Sequence, residues 1–146
     1  MENATKAMLI AAGVLIGVMI LSLGAVLFSE LQAYVESSHE RMRFNEQNAF
    51  NSQFTKYEGI TSTIQDVVTA ASLAYQNNVD YNADESERRN DFSLYVAVYL
   101  NNTPIESTIN EKKVDLLSTN LDKKYTCTVK FSQETGRVNE LYFWQE

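Results

Sequence analysis

The densest group of side chains that could bind a metal ion is a run of acidic residues in the second half of the chain: Asp80, Asp84, Glu85, Glu87 and Asp91. Carboxylate oxygens are good calcium ligands, but the D-x-D-x-D-G spacing of an EF-hand loop does not occur here. Two basic residues, Arg88 and Arg89, also interrupt the run. Because runs of charge are usually solvated, we interpret this segment as an exposed loop and predict no metal site.

Two residues that occur once each could serve as a ligand or a nucleophile. His39 has Glu36 and Glu40 beside it at helical spacing, but no second histidine or cysteine that would complete a metal site or a catalytic triad. Cys127 can form neither an intrachain disulfide nor a thiolate zinc cluster. Because Cys127 alternates with Val129 in an apolar pattern, we predict that it is a small buried core residue and that His39 is an exposed helix residue.

The composition argues against several further classes of function. The chain carries 12 Lys and Arg residues against 19 Asp and Glu residues, which gives a formal charge of −7. A nucleic-acid interface needs a basic patch, whereas the lysine pairs at positions 112–113 and 123–124 stand isolated among acids. A glycine-rich phosphate loop is also missing from the sequence. We therefore predict that the protein is not an enzyme, and that it uses no cofactor, metal or nucleic-acid partner.

The first structural element that the sequence predicts is a long apolar segment. The chain has 146 residues, and residues 7–29 form a run of 23 without a charge. As a helix this run is about 35 Å long, enough to cross the roughly 30 Å apolar core of a bilayer. It is longer than the apolar region of a signal peptide, about 7–15 residues, and no good small-x-small cleavage site follows it. We predict an uncleaved spanning or filament-core helix, with a removed signal peptide as the alternative.

Charges on the two sides of this segment indicate its orientation in a membrane. Lys6 and the amino terminus precede the segment, and Glu30 and Glu36 follow it. Basic residues are retained on the cytoplasmic side of membranes. We therefore expect the amino terminus inside the cell and the remainder of the chain outside.

Three glycines in the apolar segment, Gly13, Gly17 and Gly24, fall on one face of a helix. The first two form a G-x-x-x-G pattern, which lets two helix backbones approach closely in an apolar medium. Glycine is also simply common in membrane helices, which is the alternative explanation. We predict that these glycines form an assembly face between copies of the chain.

Glu2 is the one acidic residue before Glu30 and is our fourth candidate assembly residue. In a packed apolar bundle the terminal amine of Met1 would need a partner, because a buried unpaired charge is disfavoured by several kcal/mol. Glu2 is the local candidate to neutralise it. Alternatively, Glu2 pairs with Lys6 four residues later, and both lie in the interfacial water of a membrane.

The apolar segment continues without a break into an amphipathic one. Residues 30–54 contain neither proline nor glycine, and Gly59 is the first convincing helix terminator. We predict one helix over about residues 4–57, whose stripe of Phe50, Phe54 and Tyr57 covers an apolar surface of the body. The chain then has three parts: a hydrophobic transmembrane or filament-core helix (1–29), its amphipathic continuation (30–57) and an extracytoplasmic globular domain (58–146).

The body combines helices with strands. Ser62 and Gln65 fit the capping box of a helix that ends at Asn77 and Asn78. The later predicted elements are a strand over 92–100, with Phe92, Leu94, Val96, Val98 and Leu100 on one face, a turn over 101–104, a short helix over 111–118, and strands over 125–131 and 138–144 joined by a loop with Gly136 at positive φ. We predict an α+β protein, in which a long N-terminal helix with an apolar first half packs by its second half on a small antiparallel sheet.

This organisation resembles that of type IV pilins and pseudopilins. The similarity covers the whole chain and lies in its architecture: an apolar half-helix, its amphipathic continuation, a linking loop with a short helix, and a C-terminal antiparallel sheet. The sequence departs from the family at Thr5, where the family has a glutamate, and in lacking the family's short basic leader and its C-terminal disulfide. The resemblance implies an extracellular filament whose apolar half-helices bundle in the core.

From these features we expect a structural subunit, a homopolymer that forms a helical pilus-like filament at the cell surface. Its partners are copies of itself through the N-terminal helix, and the membrane holds it before assembly. The alternative is a single-pass membrane-anchored protein whose outer domain binds a partner or belongs to a secretion complex. The two differ in what covers the apolar helix, which is protein in the first case and lipid in the second.

Overall fold

A computed structural model describes residues 1–88, 90 and 92–146 of the chain. Its first element is a long helix. Helix α1 covers Glu2–Thr55, which confirms the helix predicted over about residues 4–57. The chain divides into two compact units, Met1–Asn45 and Glu46–Glu146, so the last turns of α1 belong to the second unit. Arg89 and Asp91 of the predicted acidic loop lie outside the described residues.

The second unit is a five-stranded sheet with helices, which confirms the α+β class. Its elements after α1 are β1 (Thr61–Thr63), α2 (Ile64–Asp80), a 3₁₀ turn (Glu85–Glu87), β2 (Ala97–Leu100), β3 (Thr103–Pro104), α3 (Ile109–Thr119), β4 (Lys124–Phe131) and β5 (Val138–Gln145). The strand order is β1-β4-β5-β2-β3. The short helix and the two C-terminal strands were predicted within two residues of these bounds.

The sheet is mostly, but not wholly, antiparallel. The hairpin pair β4·β5 is antiparallel as predicted, and so are the pairs β1·β4 and β2·β3, whose short strands β1 and β3 were not predicted. In contrast, β2 pairs with β5 in parallel. The direction of each strand explains this pairing. Both β3 and β4 run opposite to β2, and the β4–β5 hairpin reverses the chain again, so β5 runs in the same direction as β2. In the strand order, β5 is the central strand of the sheet.

The cap of α2 lies one residue later than predicted. Thr63 Oγ1 accepts from Asp66 N at 3.4 Å, and Thr63 N donates to Asp66 Oδ2 at 2.8 Å, which is a complete capping box. The predicted cap, Ser62, instead belongs to β1, where it is opposite Tyr125 and fully buried. Thr63 also belongs to β1, opposite Lys124, but it is exposed, and its side chain caps α2.

The end predicted for α2 at Asn77 and Asn78 is wrong, since the helix continues to Asp80. Both asparagines are buried and bind the backbone that leads into β2. Asn77 Nδ2 donates to Leu94 O at 2.7 Å, while Asn78 donates to Val96 O at 2.9 Å and accepts from Val96 N at 2.8 Å. The two side-chain amides thus satisfy backbone groups of Leu94 and Val96, as a neighbouring strand would do in a sheet.

The strand predicted over 92–100 is accordingly shorter, since only Ala97–Leu100 pairs in the sheet. Val96 and Val98 are buried as predicted, but Phe92 is 72% exposed and does not share their face. The turn that follows is confirmed: Asn101 and Asn102 have φ of 48° and 68°, as a two-residue hairpin requires. Gly136 also has the predicted positive φ, 66°.

The end of α1 packs on the inner face of the sheet, as the aromatic stripe predicted. Phe54 and Tyr57 are buried, and the Tyr57 ring centroid is 6.1 Å from that of Phe143 on β5. Polar contacts add to this packing: Asn51 Nδ2 donates to Gly136 O at 3.0 Å and Asn51 Oδ1 accepts from Val138 N at 2.9 Å. The last turns of α1 therefore hold both the core and the β4–β5 loop.

Candidate functional site

The apolar segment 7–29 is the largest exposed apolar surface of the described chain, and every one of its side chains is exposed. Among the described residues, α1 is the one helix that is long and apolar enough to cross a membrane, judged by length and composition alone. The core helix of a soluble protein can pass this criterion too, but it would be mostly buried, whereas the apolar window here is not buried at all. A signal sequence near the amino terminus would also pass it.

The structure leaves the glycine face of this segment open. A Cβ atom placed on Gly13, Gly17 or Gly24 would meet no heavy atom within 4 Å. Spacings of four and seven residues put the three glycines on one face of α1. Nothing in the described chain fills this face, and its role as an assembly face stays a prediction.

Glu2 lies in the first turn of α1 and is paired within the helix. Lys6 Nζ is 2.8 Å from Glu2 Oε1, and both side chains are exposed. Lys6 precedes Gly13 by seven residues, so the ion pair and the glycines lie on the same face of the helix. The structure therefore brings Glu2 together with Lys6 and aligns this pair with the glycine face.

The two residues considered for catalysis, His39 and Cys127, belong to different compact units of the chain. His39 is exposed on α1 and Cys127 is buried in β4, as predicted for each. Burial, with a smaller contribution from the charge of Glu58, raises the pKa of the Cys127 thiol to about 12. A thiol in this environment stays protonated at neutral pH and is a poor nucleophile. Within the described ranges, no three His, Cys, Asp or Glu side chains are grouped to hold a metal ion.

The prediction that the acidic run is a solvated loop holds for only some of its residues. Asp80, Asp84 and Glu85 are exposed, as predicted, and Asp84 Oδ1 caps the 3₁₀ turn by accepting from Ser86 N at 2.8 Å. Arg88 is different, since its guanidinium points to a buried carboxylate instead of solvent. This contact attaches the loop to the sheet.

That carboxylate, Glu106, is completely buried and was not identified from the sequence. Its Oε1 accepts from Arg88 Nε at 3.0 Å, from Arg88 Nη2 at 2.7 Å and from Tyr95 Oη at 2.9 Å. Its Oε2 accepts from the backbone N–H groups of Val98 and Ile105, each at 3.1 Å. The surrounding sequence alternates polar and apolar residues too briefly to mark Glu106 as buried, so no sequence signal would have found it.

The electrostatics of this cluster favour a fixed charge over proton transfer. Burial, and then the charge of Glu106, raises the pKa of Tyr95. The phenol therefore stays protonated and donates a hydrogen bond to Glu106. Burial alone would lower the pKa of Arg88, but the hydrogen bond and the charge of Glu106 raise it, and the guanidinium stays ionised. A carboxylate satisfied by five donors is suited to holding a loop in place.

The described chain is thus an α+β protein with an exposed apolar N-terminal helix and a body that is ordered by a buried ion pair. No protein-family model matches it, and neither a curated protein nor a solved structure does. Its function must therefore be inferred from its residues and their geometry.

Proposed function

We propose that this protein is a structural subunit of an extracellular helical pilus-like filament that assembles through its apolar N-terminal helix. The observation that supports this most strongly is the segment 7–29, which is exposed on all sides and carries no charge between Lys6 and Glu30. Contiguous apolar surface of this extent is covered by lipid or protein in a functioning molecule. Lipid covers it before assembly, and copies of the same helix cover it in the filament.

The glycine face supports protein as the final cover. Gly13 and Gly17 leave open space where side chains would stand, so a second helix backbone can come close. Lipid chains gain nothing from such close approach, whereas two helices gain packing contacts along the whole face. A face that packs against a different surface of the next copy generates a helical filament rather than a closed dimer.

A single-pass membrane-anchored protein, whose outer domain binds a partner or belongs to a secretion complex, is the second candidate. The observation that favours it is the Glu2–Lys6 pair at 2.8 Å, which is satisfied within one helix and needs no neighbouring copy. Both charges would then lie in the interfacial water at the inner side of the membrane.

Negative-stain electron microscopy of material sheared from the surface of expressing cells separates the two proposals. We expect filaments that contain this chain, identified by antibody labelling. Recovery of the chain in the membrane fraction alone, with no filaments in the sheared material, would overturn the filament proposal and favour the anchored protein.

Substituting Gly17 by leucine should abolish filaments while the amount of membrane-inserted protein stays unchanged. The new side chain meets nothing within the chain itself, so any loss must arise between copies, where it forces the backbones apart. Filament counts and membrane-bound protein are measured in the same cells. Ala11→Leu adds similar bulk on the opposite face of α1 and serves as the matched control. Normal filaments in the Gly17→Leu cells would show that close approach at this face is not needed.

Substituting Glu2 by glutamine should reduce the filament yield without affecting insertion. The change leaves Lys6 without its acidic partner and removes the acid that we propose for the terminal amine, and an unpaired cation is costly in an apolar bundle. Glu30→Gln, at the first acid after the apolar segment, is the control. A wild-type yield of filaments in Glu2→Gln cells would refute the neutralising role of Glu2, although the bundle of apolar helices would still stand.

A further inference from the structure

The outer face of the sheet carries a row of parallel aromatic rings. Tyr99 on β2 lies opposite Tyr142 on β5, and their ring centroids are 4.6 Å apart with planes inclined by 8°. Trp144 continues the row, 6.4 Å from Tyr142 and inclined by 9°, and it is 46% exposed. The apolar residues of β5 that alternate with these rings are buried on the opposite, inner face. The two tyrosines are half-buried and Trp144 is exposed, so the row lies at the surface of the body and outside its core.

A cleft of about 470 Å³ lies beside this row. Tyr99 and Tyr142 line it, and the β2–β3 turn contributes Asn102. The 3₁₀ turn and the residue after it contribute Glu85, Ser86 and Arg88, which form the polar wall of the cleft. This volume lies within the range of about 300–1,000 Å³ that small ligands occupy in proteins.

The wall of the cleft is held in position by the buried cluster described above. Arg88 is anchored by two hydrogen bonds to Glu106, which is 0% exposed, and its side chain is only partly exposed where it reaches the cleft. Groups that are already ordered bind a ligand without a further loss of conformational entropy. The buried carboxylate of Glu106 therefore fixes Arg88 in the polar wall of the cleft.

The charges of the cleft disfavour an anionic ligand. Among the described lining residues, Glu85 is acidic and Arg88 is basic, but Arg88 is already paired with Glu106 at 2.7 Å and with Glu85 at 3.8 Å. A phosphate, sulfate or carboxylate ligand would meet the Glu85 carboxylate with no unpaired cation among the described lining residues to balance it. A neutral ligand avoids this cost.

The remaining groups suit a ligand rich in hydroxyl groups. Ser86 and Asn102 each offer both a donor and an acceptor, and the tyrosine rings offer apolar surface with a polar edge. A sugar presents the complementary combination, because each hydroxyl both donates and accepts. Its C–H groups can contact the ring surface that the Tyr99–Tyr142 stack and the Lys130 ammonium leave uncovered. We propose that this cleft binds a neutral saccharide. A proline-rich peptide, which also docks on aromatic side chains, needs a more apolar groove than this polar wall provides.

The test is a printed array that carries neutral oligosaccharides of hexose and N-acetylhexosamine, sialylated and sulfated oligosaccharides, and a decaproline peptide. The full chain is applied as a monomer in phospholipid nanodiscs, so filament assembly is not required. We expect binding to neutral oligosaccharides and a loss of about tenfold in affinity in both Asn102→Gly and Tyr142→Leu, the effect of removing about 1.4 kcal/mol of interaction. Asn102→Gly keeps a residue that tolerates the φ of 68° at this turn, so the hairpin is retained.

Asn82→Gly is the matched control, since Asn82 also has a positive φ, 50°, but does not line this cleft. It should bind as the wild type does, and circular dichroism should show that all three variants are folded. Absence of binding to any neutral oligosaccharide would overturn the proposal. So would a preference for the sialylated or sulfated compounds, binding of the decaproline peptide, or unchanged binding in either Asn102→Gly or Tyr142→Leu.

Discussion

Replacing Glu106 by alanine is expected to lower the free energy of unfolding by about 3–5 kcal/mol, the usual cost of breaking a buried ion pair by removing one partner. The substitution removes the acceptor of five hydrogen bonds at once. Arg88 would lose its close ionic partner at 2.7 Å and keep only the more distant Glu85 at 3.8 Å. The N–H of Val98 would lose its bond to Glu106, whereas the N–H of Ile105 would keep its bond to Val98 O at 2.9 Å. Each buried donor left unsatisfied adds to the loss.

The measurement is urea unfolding of the full chain in detergent micelles, followed by the fluorescence of Trp144, the single tryptophan of the protein. Lys130→Ala is the control, since it breaks the Lys130–Glu140 pair, in which the lysine side chain is 57% exposed. An exposed pair contributes at most about 1 kcal/mol. Equal midpoints for Glu106→Ala and Lys130→Ala would show that the buried cluster does not stabilise the body.

Phe54→Ala is expected to destabilise the body by a similar amount, about 3–5 kcal/mol, because it leaves a cavity between α1 and the sheet. Phe54 is 1% exposed and its ring centroid lies 5.3 Å from that of Phe50. Phe44→Ala is the matched control on the same helix, since Phe44 is 64% exposed and its loss should change stability by less than about 0.5 kcal/mol. The same urea titration measures both variants. If Phe54→Ala unfolds at the midpoint of Phe44→Ala, the last turns of α1 do not complete the core.

Local patterns predicted the elements whose boundaries depend on local chemistry. The helix α1 follows from a long stretch without proline or glycine, and the hairpin turn follows from two asparagines that tolerate positive φ. Predictions failed where a distant segment decides the outcome. Both Ser62 and Thr63 can cap a helix, but in the paired strand β1 Ser62 is buried and the exposed Thr63 forms the cap. Likewise, asparagine locally favours the end of a helix, yet Asn78 stays within α2 and its side-chain amide bonds to the backbone of Val96.

The candidate sites also differ in whether they are formed by one local segment or by residues distant in the sequence. The apolar segment 7–29 is directly visible in the sequence, because its exposure and its lack of charge depend on no other part of the chain. Glu106 could not be predicted, because its partners Tyr95 and Arg88 are 11 and 18 residues away along the chain and nothing in their spacing links them. The glycines Gly13, Gly17 and Gly24 stay a prediction, since only a second copy of the chain could fill the space beside them.

The position of β5 also determines when the body can fold during translation. This strand lies between β4 and β2, although both of its neighbours are made before it. A nascent chain that has emerged only as far as β4 therefore holds two separate sheet fragments, with β1 and β4 on one side and β2 and β3 on the other. The two fragments become one sheet only when residues 138–145 are added between them, so the body completes its sheet late in synthesis.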